Sequence, residues 1–216
     1  MRLPPYGAHY RPEIDGLRAV AVMAVVLYHA RIPGLSGGFA GVDVFFAISG
    51  YVVMSALRRE EALAGRIDWI RFLVRRIRRL LPMLLATIVF CLLLGYWLLA
   101  PFGEFQHLSK SAMAAAGLSA NLYLWRYAGS YFSAGVEQMP LMHLWSLSVE
   151  EQFYLLTPLV FLLARWQQLG GLSRIILALT AASLAVTVWG ALEHPTATFY
   201  LPVTRTWEFG LGALAA

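Results

Sequence analysis

The sequence predicts an all-α fold, a polytopic bundle of transmembrane helices. Of its 216 residues, 59% are hydrophobic and only 13% are charged, a balance outside the usual range for water-soluble domains. Several apolar runs approach the roughly 20 residues that a helix needs to cross a hydrocarbon core of about 30 Å. Repeated crossing by one domain explains this composition better than a single anchor does.

Six or seven apolar segments are candidate spans. The first sixteen residues contain three prolines and two acidic residues, so they predict a retained cytoplasmic arm, 1–16, rather than a cleaved signal peptide. The membrane domain would then occupy 17–216. Because the last apolar run reaches the end of the sequence, we expect further helices to complete the bundle. In chain order the segments cover 17–30, 39–57, 80–100, 108–125, 141–164, 175–192 and 207–216.

The basic residues predict how the spans are oriented. Eight of the 17 Lys and Arg residues fall within 58–79, between the second and third spans. Cytoplasmic loops are enriched in Lys and Arg, so this connection and the N-terminus are predicted to be cytoplasmic, in the bacterial inner membrane. If 108–125 crosses fully, His143 starts on the cytoplasmic side. If 108–125 is re-entrant, Arg165 and Arg174 become cytoplasmic, which the charge rule favours.

Other functional classes have little support in the sequence. The net charge of +5 does not predict a nucleic-acid partner, because the basic residues adjoin apolar segments and indicate the lipid bilayer instead. No metal-ligand cluster, phosphate-binding glycine loop or nucleophile elbow occurs, so a bound metal is not expected. The glycines within 34–41 predict a turn and close helix packing. The single cysteine, Cys91, allows no internal disulfide.

Arg18 and His29 lie within the first apolar segment, eleven residues apart. Such a step returns to within about 20° of the same helix face and rises about 16 Å along the axis. Both residues are costly inside a membrane unless they face a bundle interior or a wet cavity, which favours a functional role. Alternatively, Arg18 anchors the helix at the interface and His29 caps its outer end. The spacing alone does not distinguish these alternatives.

Five arginines lie within residues 71–79, just before a long apolar segment. In a helix, Arg75 and Arg78 share one face, and Arg76 and Arg79 share another. Paired guanidinium groups can bind phosphate oxygens, so an anionic, nucleotide-like ligand is one interpretation. An electrostatic anchor for anionic lipid headgroups is the other, and the segment by itself favours the anchor.

The segment that begins at His143 combines a histidine, two carboxylates and two hydroxyls at the start of a predicted span. Glu150 and Glu151 could complement the N-terminal dipole of the helix, with Ser146 or Ser148 as its cap. Alternatively, His143 and Glu150 share one face, because seven residues are close to two helical turns. The local sequence leaves both alternatives open.

Taken together, five segments in this order resemble the acyltransferase 3 family, membrane enzymes that O-acetylate bacterial lipopolysaccharide, exopolysaccharide and peptidoglycan. The five segments in this order are far more specific than any one of them alone. The family interpretation is therefore preferred to the structural alternatives given above. The matching segments are 10–18 with the spacing of Arg18 and His29, 37–51, the arginine segment ending at Pro82, 143–154 and 205–208. They include the motif residues Asp15, Asp43, Ser49, His143, Trp145, Ser148 and Tyr154.

The resemblance implies roles for individual residues. Arg18 and His29 would be the essential intramembrane pair, and Glu150 would orient a histidine or an acceptor hydroxyl. The co-substrate would be an acyl-CoA, with acetyl-CoA expected. The residues implied to hold it are Arg76 and Arg79, which best match the family's double-arginine pattern, and their neighbours Arg75 and Arg78.

The function implied is transfer of an acyl group from cytoplasmic acyl-CoA across the membrane to hydroxyls of a cell-surface or lipid-linked glycan. His29 would act as general base or would itself accept the acyl group. The first motif resembles that of members fused to a periplasmic SGNH-type domain, which would lie beyond Ala216. Family members use more spans than are present here, so this segment alone need not be active. The alternative is a transporter or channel-like subunit, with Arg18, His29 and Glu150 lining a pathway for protons or anions.

Overall fold

The computed structural model describes residues 11–127, 139–166 and 171–216, and their regular secondary structure is helical, which confirms the all-α prediction. Of the predicted arm 1–16, residues 1–10 lie outside the described residues. From Pro12 onwards the arm is helical. A 3-10 turn, Gly38–Ala40, precedes the second helix. The helices are α1 Pro12–His29, α2 Gly41–Ala64, α3 Trp69–Leu98, α4 Glu104–Ala116, α5 Ala120–Tyr127, α6 Leu144–Trp166, α7 Leu172–Glu193, α8 Pro195–Tyr200 and α9 Pro202–Leu214.

Four stretches of the described residues are long and apolar enough to cross a membrane, fewer than the six or seven segments predicted. α1 has 18 residues but carries Glu13, Asp15 and Arg18. α9 comprises 13 residues of this chain. The four stretches are Gly38–Ala64, Trp69–Leu98, Leu144–Ala164 and Leu172–Glu193.

The segment 108–125 is broken into two short helices. α4 ends before a turn in which Leu118 has a φ of 54°. Gln152 of α6 donates a hydrogen bond to the carbonyl of Leu118 at 2.7 Å and another to Asn121 of α5 at 2.9 Å. The side chain of Gln152 thus satisfies a backbone group that a continuous helix would have paired internally. The segment 108–125 is therefore not one continuous helix.

α6 runs antiparallel to α1 and α3. Just before α6 begins, the rings of His143 and His29 lie 4.7 Å apart, at the end of α1. Near the end of α6, the rings of Phe161 and Trp69 lie 5.2 Å apart, at the beginning of α3. α3 therefore ends at the end of the bundle where α6 begins. The connecting helices α4 and α5 start and finish at that same end, as the re-entrant alternative requires. We call the end with His29 and His143 the histidine end, and the end where α3 begins the arginine end.

The connection between α2 and α3 is much shorter than the sequence suggested. α2 continues to Ala64 and α3 begins at Trp69, eleven residues before the predicted start of that span. Asp68 caps α3 by accepting a hydrogen bond from the backbone N–H of Arg71 at 2.9 Å. Arginines 71–79 therefore lie on the first turns of α3, where the helical repeat decides which way each one points.

α1 packs on the start of α2 along a narrow stripe. Ala21 is buried, and its carbonyl lies so close to Gly41 that a larger residue at position 41 would collide with it. Gly34, in the turn between the two helices, has a φ of 88°. The turn and close packing predicted for the glycines within 34–41 are confirmed. Other apolar side chains of α1, such as Val20 and Met23, are exposed, as expected on a surface facing lipid.

α9 and α2 cross with their backbones in contact. Gly50 of α2 lies against the main chain of Phe209, and Gly212 of α9 lies against the main chain of Ala47. A Cβ at either glycine would overlap backbone atoms of the other helix. Only glycine permits such an approach, and it holds Ser49 and Glu208, which lie next to these contacts, on adjacent helices.

We predict that Gly212→Ala destabilises the bundle, because the added methyl group would overlap the backbone of α2. Overpacking of this kind typically costs about 1–3 kcal/mol. The matched control is Gly16→Ala in α1, where nothing lies within 4 Å of the added Cβ and alanine is the better helix former. Thermal unfolding in detergent, followed by circular dichroism, measures both. Equal unfolding temperatures for the two variants would show that the helices do not cross this closely.

Candidate functional site

A groove with a charged end lies between α3 and α6. It encloses about 330 Å³. Along α3 it extends from Arg76 to Thr87, eleven residues or about 16 Å of helix. Its wall beyond the arginines is mostly aliphatic, so the groove suits a ligand with an anionic head and an uncharged tail. Its polar lining consists of Arg18, Arg76, Arg79, Glu150, Glu151 and Tyr154, with Thr87 at the far end.

The helical repeat of α3 separates the predicted arginines into two pairs. Arg76 and Arg79 line the groove, and the guanidinium of Arg76 lies 4.3 Å from the ring centroid of Tyr154. Arg75 and Arg78 do not line this groove, although they are exposed, as Arg79 is. Arg75 instead forms an ion pair with Glu60 of α2 at 3.3 Å. Of the four arginines predicted to hold a ligand, two therefore share a cavity with Arg18 and Glu150.

Glu150 is the centre of a polar network inside the bundle. Only 7% of this residue is exposed, and its Oε1 accepts hydrogen bonds from Ser49 at 2.6 Å and from Tyr154 at 2.5 Å. Arg18 donates from Nη2 to the Ser49 hydroxyl at 3.4 Å. The network brings together four predicted residues from α1, α2 and α6. The buried Nε of Arg18 has no hydrogen-bond partner among the described residues.

A second cavity, the histidine cavity, lies at the histidine end. It encloses about 480 Å³, and both His29 and His143 line it. The Nδ1 of His29 lies 2.8 Å from the carbonyl oxygen of Val25. Because a carbonyl only accepts, Nδ1 carries the proton and the neutral ring has its lone pair on Nε2. Burial is the main cause that lowers the pKa of His143 below its ordinary value, which favours a neutral ring there.

The groove and the histidine cavity adjoin each other. Phe45, Leu147 and Glu150 line both, so we call these three residues the partition. The guanidinium of Arg18 lies 5.3 Å from the ring centroid of Phe45. A ligand held by the arginines would therefore have to pass only the partition to reach His29.

An ion pair that the sequence did not predict lies at the histidine end. Arg205 of α9 donates to Asp43 of α2 at 2.9 Å and to Glu208 at 2.7 Å. Glu208 is only 1% exposed, and its Oε2 has no hydrogen-bond partner in the described part of the chain. Asp43 and 205–208 each belong to a recognised motif. Because 162 residues separate Asp43 from Arg205, however, no local signal could pair them.

The remaining motif residues lie at the edge of the site or outside it. Trp145 is 2% exposed, packs edge-on against Phe46, and borders the histidine cavity. Ser148 accepts a hydrogen bond from the backbone N–H of Ala120 at 3.2 Å, which attaches the start of α5 to α6. Asp15 is exposed in the first turn of α1. Ser148 and Asp15 line neither cavity.

Sequence comparisons identify the family. A family model described as an acyltransferase domain matches residues 11–216. The chain belongs to the acyltransferase 3 family. It is 36% identical to the O-acetyltransferase OatA of Staphylococcus aureus over 214 residues, 98% of this chain and 35% of OatA. It is 33% identical to the putative peptidoglycan O-acetyltransferase YrhL of Bacillus subtilis over 216 residues, 96% of this chain and 33% of YrhL.

The predicted membership of the acyltransferase 3 family is therefore confirmed, and no solved structure matches the chain. Membership of this family and the four long apolar stretches together show that this acyltransferase domain is part of a multi-pass membrane protein. The chain spans about a third of the length of the curated relatives it matches. An appended SGNH-type domain and a cytoplasmic N-terminus stay predictions.

We predict that Arg205→Ala lowers the unfolding temperature of this acyltransferase 3 bundle more than Arg205→Ala/Glu208→Gln does. Removing one partner of a buried ion pair typically costs roughly 3–5 kcal/mol, because the other charge stays buried without compensation. Glu208→Gln removes that remaining charge. Thermal unfolding in detergent compares the two variants with the unsubstituted protein. A double variant no more stable than the single one would show that Glu208 is not the charge that Arg205 compensates.

Proposed function

We propose that the chain forms the donor and transfer sites of a membrane O-acetyltransferase that moves an acyl group from acyl-CoA to hydroxyls of a cell-surface glycan. The observation that carries the proposal is the pair of adjoining cavities, one lined by arginines and the other by histidines, with the partition between them. OatA is named an O-acetyltransferase and YrhL a putative peptidoglycan O-acetyltransferase, which supports acetyl as the acyl group and peptidoglycan as the acceptor.

The arginine groove is the proposed donor site. Coenzyme A carries phosphate groups at one end and its thioester at the other, joined by an uncharged arm. Arg76 and Arg79 bind the phosphate oxygens, for which paired guanidinium groups are well suited. The aliphatic wall of α3 accepts the arm, and the groove directs it towards the partition. Because eight arginines lie in or beside the connection between α2 and α3, we assign the arginine end to the cytoplasm, where it meets acyl-CoA.

The histidine cavity is the proposed transfer site. In direct transfer, the Nε2 of His29 takes the proton of the acceptor hydroxyl while that oxygen attacks the thioester carbon. The new C–O bond forms, the C–S bond breaks, and the coenzyme A thiolate receives the proton. In the alternative route Nε2 first takes the acyl group as the C–S bond breaks and the coenzyme A thiolate leaves. The hydroxyl oxygen then takes the acyl group from Nε2, the C–N bond breaks, and the hydroxyl proton passes to the thiolate. Both routes convert a thioester and an alcohol into an ester and a thiol.

Arg18 and Glu150 have supporting roles in this proposal. Arg18 lines the groove together with Arg76 and Arg79 and adds a third guanidinium group that can hold a phosphate of the donor. Glu150 lines both cavities and is held by Ser49 and Tyr154, so it orients the groups that meet at the partition. A transporter that used the same polar residues would instead move protons or anions without consuming acyl-CoA.

We predict that Arg76→Ala/Arg79→Ala weakens acetyl-CoA binding at least about tenfold, since each substitution removes a charge-assisted hydrogen bond to phosphate. The control is Arg75→Ala/Arg78→Ala, which removes the same charge from the same helix but from the face outside the groove. Calorimetric titration of the intact protein in nanodiscs measures both. Equal weakening by the two double variants would favour the alternative in which the arginines only attract anionic lipid.

We predict that His29→Ala reduces acetyl transfer at least about 100-fold, the usual contribution of a general base, while acetyl-CoA binding is kept. The readout is transfer of labelled acetyl groups from acetyl-CoA to glycan in membranes that contain the intact protein. His194→Ala is the control, because His194 is exposed and follows α7 away from both cavities. Transfer by His29→Ala at the unsubstituted rate would rule out the transfer site. Proton or anion flux through the unsubstituted protein without consumption of acetyl-CoA would identify a transporter.

A further inference from the structure

We propose that Glu151 binds the arm of the acyl-CoA donor by accepting a hydrogen bond from an amide N–H of that arm. The inference rests on the proposed function and adds a residue that recognises the donor by a group other than its phosphates. Glu151 lines the groove, and only 7% of this residue is exposed. It accepts no hydrogen bond from any residue that the structure describes. A buried carboxylate is costly without hydrogen bonds, which points to a ligand group that supplies one.

Glu150 and Glu151 are adjacent, but the bundle provides hydrogen bonds for Glu150. The Oε1 of Glu150 accepts from the hydroxyls of Ser49 and Tyr154. Each hydroxyl has a single proton to donate, so neither can serve Glu151 at the same time. The aliphatic wall of α3 carries no donor that could replace them. A ligand in the groove can therefore supply the donor that Glu151 lacks among the described residues.

Two structural explanations do not account for the burial of Glu151. The first is that its carboxylate complements the N-terminal dipole of α6, an alternative that the sequence left open. α6 begins at Leu144, so Glu151 lies about two turns inside the helix, beyond the first turn in which the dipole acts. The second is attraction to Arg76, which offsets part of the cost of the charge but supplies no hydrogen bond.

Glu151 lies where the arm of a bound donor has to pass. Tyr154 contacts the guanidinium of Arg76, where the phosphates are proposed to bind, and Leu147 belongs to the partition. Glu151 lies about 4.5 Å along the helix from Tyr154 and about 6 Å from Leu147. A ligand that extends from the arginines to the partition therefore runs past Glu151. The α6 residues that line the groove form one stripe at helical spacing, Leu144, Leu147, Glu150, Glu151 and Tyr154.

The chemistry of the arm matches the unpaired acceptor. The arm of coenzyme A is uncharged but contains amide groups, each with an N–H to donate. An ionised carboxylate only accepts hydrogen bonds, and an N–H that enters the groove needs an acceptor in place of water. A phosphate, in contrast, is repelled by the carboxylate. The arginines thus recognise the charge of the donor, and Glu151 recognises its arm.

The test separates the head of the donor from its arm. The intact full-length protein in nanodiscs is equilibrated with labelled acetyl-CoA, which either of two fragments then displaces. Adenosine 3′,5′-bisphosphate carries phosphates but no arm, and S-acetylpantetheine carries the arm and the thioester but no phosphate. Dissociation constants for the three compounds are measured for Glu151→Ala, Glu151→Gln and Arg76→Ala/Arg79→Ala. The control is Glu193→Ala, which changes an exposed glutamate outside the groove.

We expect Glu151→Ala to weaken the binding of acetyl-CoA and of S-acetylpantetheine about tenfold, since a hydrogen bond to a charged group is lost. Glu151→Gln should weaken it less, because the amide oxygen still accepts. Binding of the bisphosphate should stay the same or tighten, because a negative charge is removed and no phosphate contact is lost. Arg76→Ala/Arg79→Ala should show the reverse pattern. Without ligand, Glu151→Gln should unfold at no lower temperature than the unsubstituted protein, because the carboxylate accepts no hydrogen bond in the described fold.

Several outcomes would overturn this role of Glu151. Unchanged binding of S-acetylpantetheine in both Glu151 variants is one, and equal weakening of S-acetylpantetheine and the bisphosphate is another. A clearly lower unfolding temperature of Glu151→Gln would show that the carboxylate is structural. If Glu151→Ala fails to fold, the binding constants of Glu151→Gln decide. An unsubstituted protein that binds no acetyl-CoA at all would instead overturn the proposed donor site.

Discussion

The buried carboxyl group of Glu150 organises the interior of this bundle. Such a group is costly in apolar surroundings unless hydrogen bonds compensate for the lost water. Ser49 and Tyr154 provide these bonds, and Arg18 reaches Ser49, so α1, α2 and α6 must stay in register around one oxygen atom. Tyr154 also lies beneath the guanidinium of Arg76. The contacts that make the carboxyl group tolerable therefore also position an arginine that lines the groove.

Apolar composition predicted the helical class because, inside a bilayer, a helix satisfies its own backbone hydrogen bonds. The positions at which helices break depend on contacts with residues distant along the chain, which local sequence patterns do not show. The turn at Leu118 is stabilised by Gln152, 34 residues further along the chain. The early start of α3 was missed because its first turns carry charged residues that made them resemble a loop. Local hydropathy thus predicts which segments are helical better than where each one begins, ends or folds back.

Much of the candidate site could be predicted, since several of its residues lie on single helices with a helical repeat. That repeat divided the arginines into two faces, but only the contact with Tyr154 of α6 shows which face lines the groove. The motifs that contain Asp43 and Arg205 were recognised separately, and their ion pair depends on the parallel packing of α2 and α9. A single sequence does not reveal the contacts between helices that are distant along the chain.

The partition has a consequence for the electrical insulation of the membrane. Phe45 and Leu147 place apolar side chains between the two cavities, and carrying an unpaired ion through such surroundings costs up to tens of kcal/mol by an idealised estimate. A thioester is uncharged and avoids this cost. Each elementary charge that leaked would dissipate about 2.3 kcal/mol per 100 mV of membrane potential. Under the proposed function, an uncharged acyl group would pass the partition, whereas Phe45 and Leu147 would oppose the passage of a bare ion.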